Sequence, residues 1–278
     1  MRTIKIVADS AANVTSLETA DFSFAPLSVR TVDREFVDDI HLDIDGMQTY
    51  FDTYKGRSQT SCPNVSDWLE AFGEADDIFC VTITSGLSGS YNAACLAKEL
   101  YEGSHSDKRV WVLDSLSAGP EMTLIVDRLE QCVQEGLTAE EIVPVITEYM
   151  QSTGLIFMLE SLKNFAANGR VPMAVAKVAG VLGIRVVGRA SDKGQLQPLH
   201  KCRGEKNALS ALIDELKNSG VSEGKVHIAH CCNPQGAESL GHLVQQHFPN
   251  ATVTVSHLRG LCSYYAEKGG ILVGYEKK

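Results

Sequence analysis

The stretch 80–95, CVTITSGLSGSYNAAC, constrains the fold of this chain more than any other. It opens with Val81 and Ile83 between threonines, a composition that suits a strand. It turns through Ser85-Gly86-Leu87-Ser88-Gly89-Ser90. It then runs through Ala93, Ala94, Leu96, Ala97 and Leu100, helix formers whose apolar side chains share one broad face. Gly86 and Gly89 permit dihedrals and close approaches that a Cβ would forbid. The first helical N–H groups have no partner inside their own helix, so they can meet an anion. A βα loop whose serine simply caps a helix looks the same in sequence, and both readings are open at this point.

The flanking chain repeats the pattern. Residues 3–8 form an apolar run ending in Asp9-Ser10, and 110–113 form another ending in Asp114-Ser115. Residues 22–29 are a further strand candidate, and 34–40 can pair as a hairpin. A helix is expected over 43–54, with Met47, Tyr50, Phe51 and Tyr54 on one side. Residues 60–63 form an extended turn, since the residue before Pro63 avoids the helical region. A helix over 64–75 has Asn64 or Ser66 as its cap and Trp68, Leu69 and Phe72 inward. Pro120 opens a helix to Gln134 that Gly136 stops, and Thr138 with Glu141 forms a capping box for the next. Strands alternating with helices predict a mainly parallel sheet covered on both faces.

After about residue 153 the pattern changes. Strands are expected over 155–159 and 184–187, with a turn at Asn168-Gly169-Arg170 and an apolar stretch over 172–182. Asp192-Lys193-Gly194 is a hairpin turn, from which 195–201 returns antiparallel. A helix over 205–218 follows, then a strand over 226–230, a helix over 234–248, and strands over 251–256 and 271–275. The expected fold is α/β in two domains. Residues 1–153 form a mainly parallel α/β domain, and 154–278 form an α+β domain. No linker is rich in proline or serine, so the two should pack closely.

Composition removes several function classes. The 278 residues are 44% hydrophobic and carry a net charge of −10, with 35 acidic against 25 basic side chains. That argues against nucleic acid as a partner. No basic start followed by an apolar run marks a signal peptide, and no apolar stretch is long enough to span a membrane. Eight cysteines without a C-x-x-C suit buried, reduced thiols in a cytoplasmic protein and argue against a zinc site. His227 and His230 flank a strand, and His242 and His247 lie five apart on a helix, so neither pair has the i, i+4 spacing of a helical metal site.

Ser88 stands on a strand-to-helix turn, the topology of a nucleophile elbow, but its G-x-S-G spacing departs from G-x-S-x-G. No phosphate-binding glycine motif is present. Asp9 and Asp114 could hold a metal, though a capping role explains each more simply. Thr60, Ser61, Ser85, Ser88 and Ser90 form a neutral hydroxyl set near strand ends, where ligands of such sheets bind. Hydroxyls and free N–H groups suit a carboxylate. A serine hydrolase using Ser88, or a binder of another acidic small molecule, stays open as an alternative.

Asp9-Ser10, Thr60-Ser61-x-Pro63, Ser85 to Tyr91 and Asp114-Ser115 together resemble the DegV family of bacterial fatty-acid-binding proteins. Gly169-Arg170-Val171 and Lys201-x-Arg203 fit the same pattern, and the resemblance covers nearly the whole chain. It implies two α/β domains clasping one long acyl chain, with the carboxylate on Thr60 and Ser88. Ser61, Ser85, Gly86 and Gly89 are expected to complete the ligand site. The protein would need no cofactor or metal and would not itself be a catalyst. As a cytoplasmic monomer it would hand the fatty acid to a separate fatty acid kinase, which makes acyl phosphate for phospholipid synthesis. Arg203 matches a family arginine associated with docking that kinase. Two departures stand out: Tyr265 replaces the family's histidine, and Val187-Gly188 replaces its Lys-Pro. A phenol still donates a hydrogen bond but adds no positive charge near neutral pH.

Overall fold

The computed structural model describes residues 2–174, 176 and 183–277. Most of the predicted apolar stretch 172–182 lies outside them. Strands β1 (Ile4–Asp9), β2 (Asp21–Ala25), β6 (Asp77–Thr82) and β7 (Arg109–Asp114) form a wholly parallel sheet in the order β2-β1-β6-β7. Its helices follow the predicted signals. Helix α2 (Val65–Phe72) has a full capping box from Asn64 and Asp67. It ends three residues short of the expected span, because Gly73 turns the chain at φ +59°. Helix α3 (Ser90–Ser104) follows β6 and packs with α2 on the outer face.

A second, mixed sheet runs in the order β10-β9-β8-β13-β11-β12. Its strands are β8 (Thr153–Leu159), β9 (Ile184–Ala190), β10 (Leu196–Arg203), β11 (Glu223–His230), β12 (Asn250–His257) and β13 (Ile271–Glu276). The predicted hairpin at 192–194 joins β9 to β10, whereas β11 and β12 pair in parallel. Helices α7 (Glu205–Asn218) and α8 (Pro234–His247) cover the outer face, burying Leu212, Leu216, Leu240 and Val244.

Between the sheets lies α4 (Pro120–Gln134), which touches β1 and β6 on one side and β8, β11 and β13 on the other. Met122, Leu124, Ile125, Val126 and Leu129 are all buried, as a helix covered on two sides requires. One apolar core therefore joins both sheets.

Three local expectations change. The predicted strand 22–29 splits at Pro26-Leu27: β2 stays in the parallel sheet, and β3 (Ser28–Arg30) joins β4 (Glu35–Val37) and β5 (Gln59–Ser61) in a small antiparallel sheet. Proline cannot donate to a ladder, and Leu27 N–H donates instead to Ser10 Oγ at 3.0 Å. The turn predicted at 60–63 begins as β5. Helix α9 (Gly260–Ala266) has no strong signal in the sequence. Among the thiols, Cys232 is exposed, held at φ +49° by the turn after β11.

Candidate functional site

Buried Asp9 organises the loop that leads from β6 to α3. Its carboxylate accepts from Ile83 N at 2.8 Å, from Ser90 Oγ at 2.6 Å and from Ala11 N at 3.2 Å. Burial pushes its pKa up to about 7 despite those bonds. Asp114 does the same job one strand over, accepting from Ser85 N and Leu116 N at 3.1 Å each. Both aspartates cap turns. The descriptions of the two strand-end aspartates as metal ligands are therefore not needed, and among the described residues no group of three or more His, Cys, Asp or Glu is placed to hold a metal.

Helix α9 is set just as firmly. Buried Asp38 accepts from Gly260 N at 3.1 Å and Leu261 N at 2.9 Å, at the positive end of the helix. A Cβ on Gly260 would lie 2.5 Å from Leu42 Cδ2 and 2.6 Å from Asp38 Cγ, so only glycine allows this approach. The helix carries Tyr264 and Tyr265 against β5. Tyr265 Oη meets Thr60 Oγ1 at 2.8 Å, and its ring lies 4.6 Å from that of Phe165. Burial raises the Tyr265 pKa, so the phenol stays protonated and can donate.

These elements enclose a cavity of about 260 Å³ between the two sheets. Its walls are largely apolar, with Leu27, Ile83, Phe157, Leu159, Leu261 and Leu272 contributed from both halves of the chain. Of the predicted site residues Thr60, Ser61, Ser88, Gly89 and Tyr265 line it, with Thr84, Ser117 and Gln195 as further polar groups. Ser61 Oγ is shared with Ser28 Oγ at 2.9 Å, and Ser88 Oγ accepts from Ser90 N at 3.2 Å.

Ser85 and Gly86 lie apart from this wall. Both are exposed on the outer side of the turn. A Cβ on Gly86 would lie 2.5 Å from the Lys193 carbonyl oxygen, so this glycine lets the loop close against the β9–β10 hairpin. Thr84 Oγ1 locks the same seam by donating to Gly194 O at 2.9 Å. Arg203 ends β10 on an exposed edge, remote in sequence from the hydroxyls.

Sequence reasoning assigned no role to Arg170. Its side chain lines the cavity, donating through Nε to Leu87 O at 3.2 Å and through an Nη to Asn168 O at 2.5 Å. The signal was the Asn168-Gly169-Arg170 turn, where Gly169 adopts φ +73° and re-aims the chain. Among the described residues, no histidine, aspartate or glutamate lines the cavity, so Ser88 has no base beside it there. The arrangement can hold a single carboxylate, with an apolar tail running into the core.

Residues 3–278 match the family model described as "Uncharacterised protein, DegV family". A DegV domain-containing protein of Streptococcus pyogenes serotype M1 is 43% identical over 278 residues, 99% of each chain. A DegV family protein from Eubacterium eligens, solved loaded with heptadecanoic acid, is 44% identical with a TM-score of 0.97, covering 99% of this chain and 100% of that one. The Streptococcus pneumoniae Fatty Acid Kinase (Fak) B3 protein, solved loaded with linoleic acid, is 41% identical with a TM-score of 0.97 and the same coverage. By fold, by length and by sequence, this chain belongs to the DegV family.

Proposed function

We propose that this protein binds one long-chain fatty acid and presents its carboxylate to a separate fatty acid kinase, without being a catalyst itself. The observation that carries this reading is the apolar cavity between the sheets, with several hydroxyls and one guanidinium in its wall. Thr60 and Ser88 donate to the carboxylate, Tyr265 donates to Thr60 and so aims its proton at the ligand, and Arg170 supplies the positive charge that the phenol lacks. Ser61 and Gly89 complete the wall. Burying a methylene is worth about 0.8 kcal/mol, so a long tail contributes on the order of 10 kcal/mol before the costs of ordering. The head group need only be satisfied, which these donors do.

Residues 1–153 supply the hydroxyl loops and 154–278 close the tunnel, within a single chain that needs no second copy. Free thiols suit a reducing cytoplasm. Two bound relatives, one with heptadecanoic acid and one with linoleic acid, support an acyl ligand. Native mass spectrometry of protein purified from a bacterial host tests the reading. A stoichiometric fatty acid is expected, and an empty protein that also fails to rebind oleate after delipidation would reject it.

A further inference from the structure

One wall of the cavity is the inner face of the mixed sheet. Along β8 the side chains alternate: Ile156 and Met158 join the core under α7 and α8, while Leu155, Phe157 and Leu159 face the cavity. Strand β9 follows the same rule. Val187 points outward and Val186 and Ala190 inward, which places Gly188 on the cavity face. Gly188 is the register partner of Phe157, and Leu272 of β13 is its partner on the other side. The three residues stand in one row across the sheet.

The ring of Phe157 takes the space that a side chain at 188 would fill. A Cβ there would lie 2.5 Å from Phe157 Cζ and 2.8 Å from Cε2. Leu155 and Leu159 stand before and after the ring on its own strand, and Leu272 fills the β13 side. The ring is left with a sideways course over Gly188 or a forward course into the cavity. It takes the first, so it lies along the wall and not across the bore. Ala190, the next inward residue of β9, keeps the adjoining stretch of wall shallow as well. Gly274 on β13 serves a different end: a Cβ there would meet the backbone of Pro120 and Glu121 at 2.5 Å, so that glycine admits helix α4. Gly188 admits a side chain that the cavity would otherwise have to hold.

We propose that Gly188 and Phe157 together set the width of the acyl cavity, and that the width they leave admits a chain bent by a cis double bond. The assignment rests on the fatty acid reading above and names the chain shape within it. A straight saturated or trans chain passes a narrow bore, because its carbons follow one line. A cis bond offsets the two halves of the tail sideways, and that offset needs room at the wall. With the ring seated on Gly188 the room is free. With any side chain at 188 the ring occupies it. A misfit of one methylene in an apolar pocket is worth roughly 10- to 200-fold in discrimination.

The test compares oleate with elaidate, its trans isomer, which matches it in length and composition and differs in shape. Both are titrated into delipidated protein. Wild type should bind oleate at least as tightly as elaidate. Gly188→Ala should weaken oleate by about tenfold or more and elaidate by about threefold at most. Adding Phe157→Leu to that variant removes the ring and should return the ratio of the two affinities to within about threefold of wild type. Equal weakening of both isomers, no weakening, or no recovery in the double variant overturns the gauge. A Cβ at 188 would also lie 2.5 Å from Gln197 O, which puts folding of the alanine variant at risk. Phe157→Trp, which enlarges the ring and leaves that backbone contact alone, is therefore measured beside it. The same fall of oleate against elaidate is expected, and an unchanged ratio overturns the gauge. Wild type that binds neither isomer rejects the fatty acid reading itself. Wild type that binds both, with a ratio the variants do not move, rejects the gauge alone.

Discussion

Thr60 and Ser88 are each one hydroxyl, and the proposed function gives each a defined task. Thr60 Oγ1 is already paired with Tyr265 at 2.8 Å, so a carboxylate arriving there joins a pre-set pair and need not order either side chain. A hydrogen bond to a charged group is worth about 1.5–3 kcal/mol, or roughly 10- to 100-fold in affinity. Thr60→Val and Ser88→Ala should each weaken oleate binding by that factor in a delipidation and rebinding assay. Unchanged binding in both would remove these residues from the site. Asp9 makes a different prediction. Its folded pKa of about 7 lies above the 3.8 of an unperturbed aspartate. The folded state therefore binds the proton more tightly. Its contribution to stability is fully present below about pH 3.8 and is lost as pH rises through 7. Asp9→Asn cannot ionise, so its melting temperature relative to wild type should climb between pH 5 and pH 8. A constant difference across that range would show that Asp9 stays ionised throughout.

At the scale of elements, helix α9 decides where the phenols stand. It is only seven residues long, too short to hold itself in water. Asp38 at its N-terminus and the close approach of Gly260 fix it instead. Gly260→Ala would push a methyl into Leu42 and the Asp38 carboxylate. Overpacking of this kind costs about 1–3 kcal/mol. The urea midpoint should fall accordingly, and oleate should be released faster because Tyr265 moves with the helix. A variant with a lowered midpoint but wild-type release kinetics would separate the helix from the site.

Over the whole molecule, two sheets share one core through α4, and the ligand cavity lies in the same layer. Arg203 stands outside that layer, at the end of β10, with Lys201 and Lys206 close in sequence on a chain of net charge −10. A local basic edge on an acidic protein steers an acidic partner surface. Arg203→Ala should leave oleate binding unchanged and lower acyl phosphate formation with the cognate kinase, and added salt should slow the wild-type reaction. Loss of oleate binding in this variant, or full kinase turnover, would refute the role.

Much of this was legible in the sequence, because local signals carry it. The strand–turn–helix at 80–95, the capping boxes at Asn64 and Thr138, the Pro120 start and the 192–194 hairpin depend on residues within a few positions of one another. Ordered along the chain, those signals are enough for an alternating parallel sheet followed by a mixed one. The order of hydroxyl motifs also carried the family resemblance. Pairings between distant residues were not legible. Thr60 meets Tyr265 across 205 positions, and Asp38 caps Gly260 across 222. Such contacts depend on how two sheets pack on α4, which no local pattern encodes. The same packing closed the chain at Gly86 against Lys193 and brought Arg170 to the cavity wall.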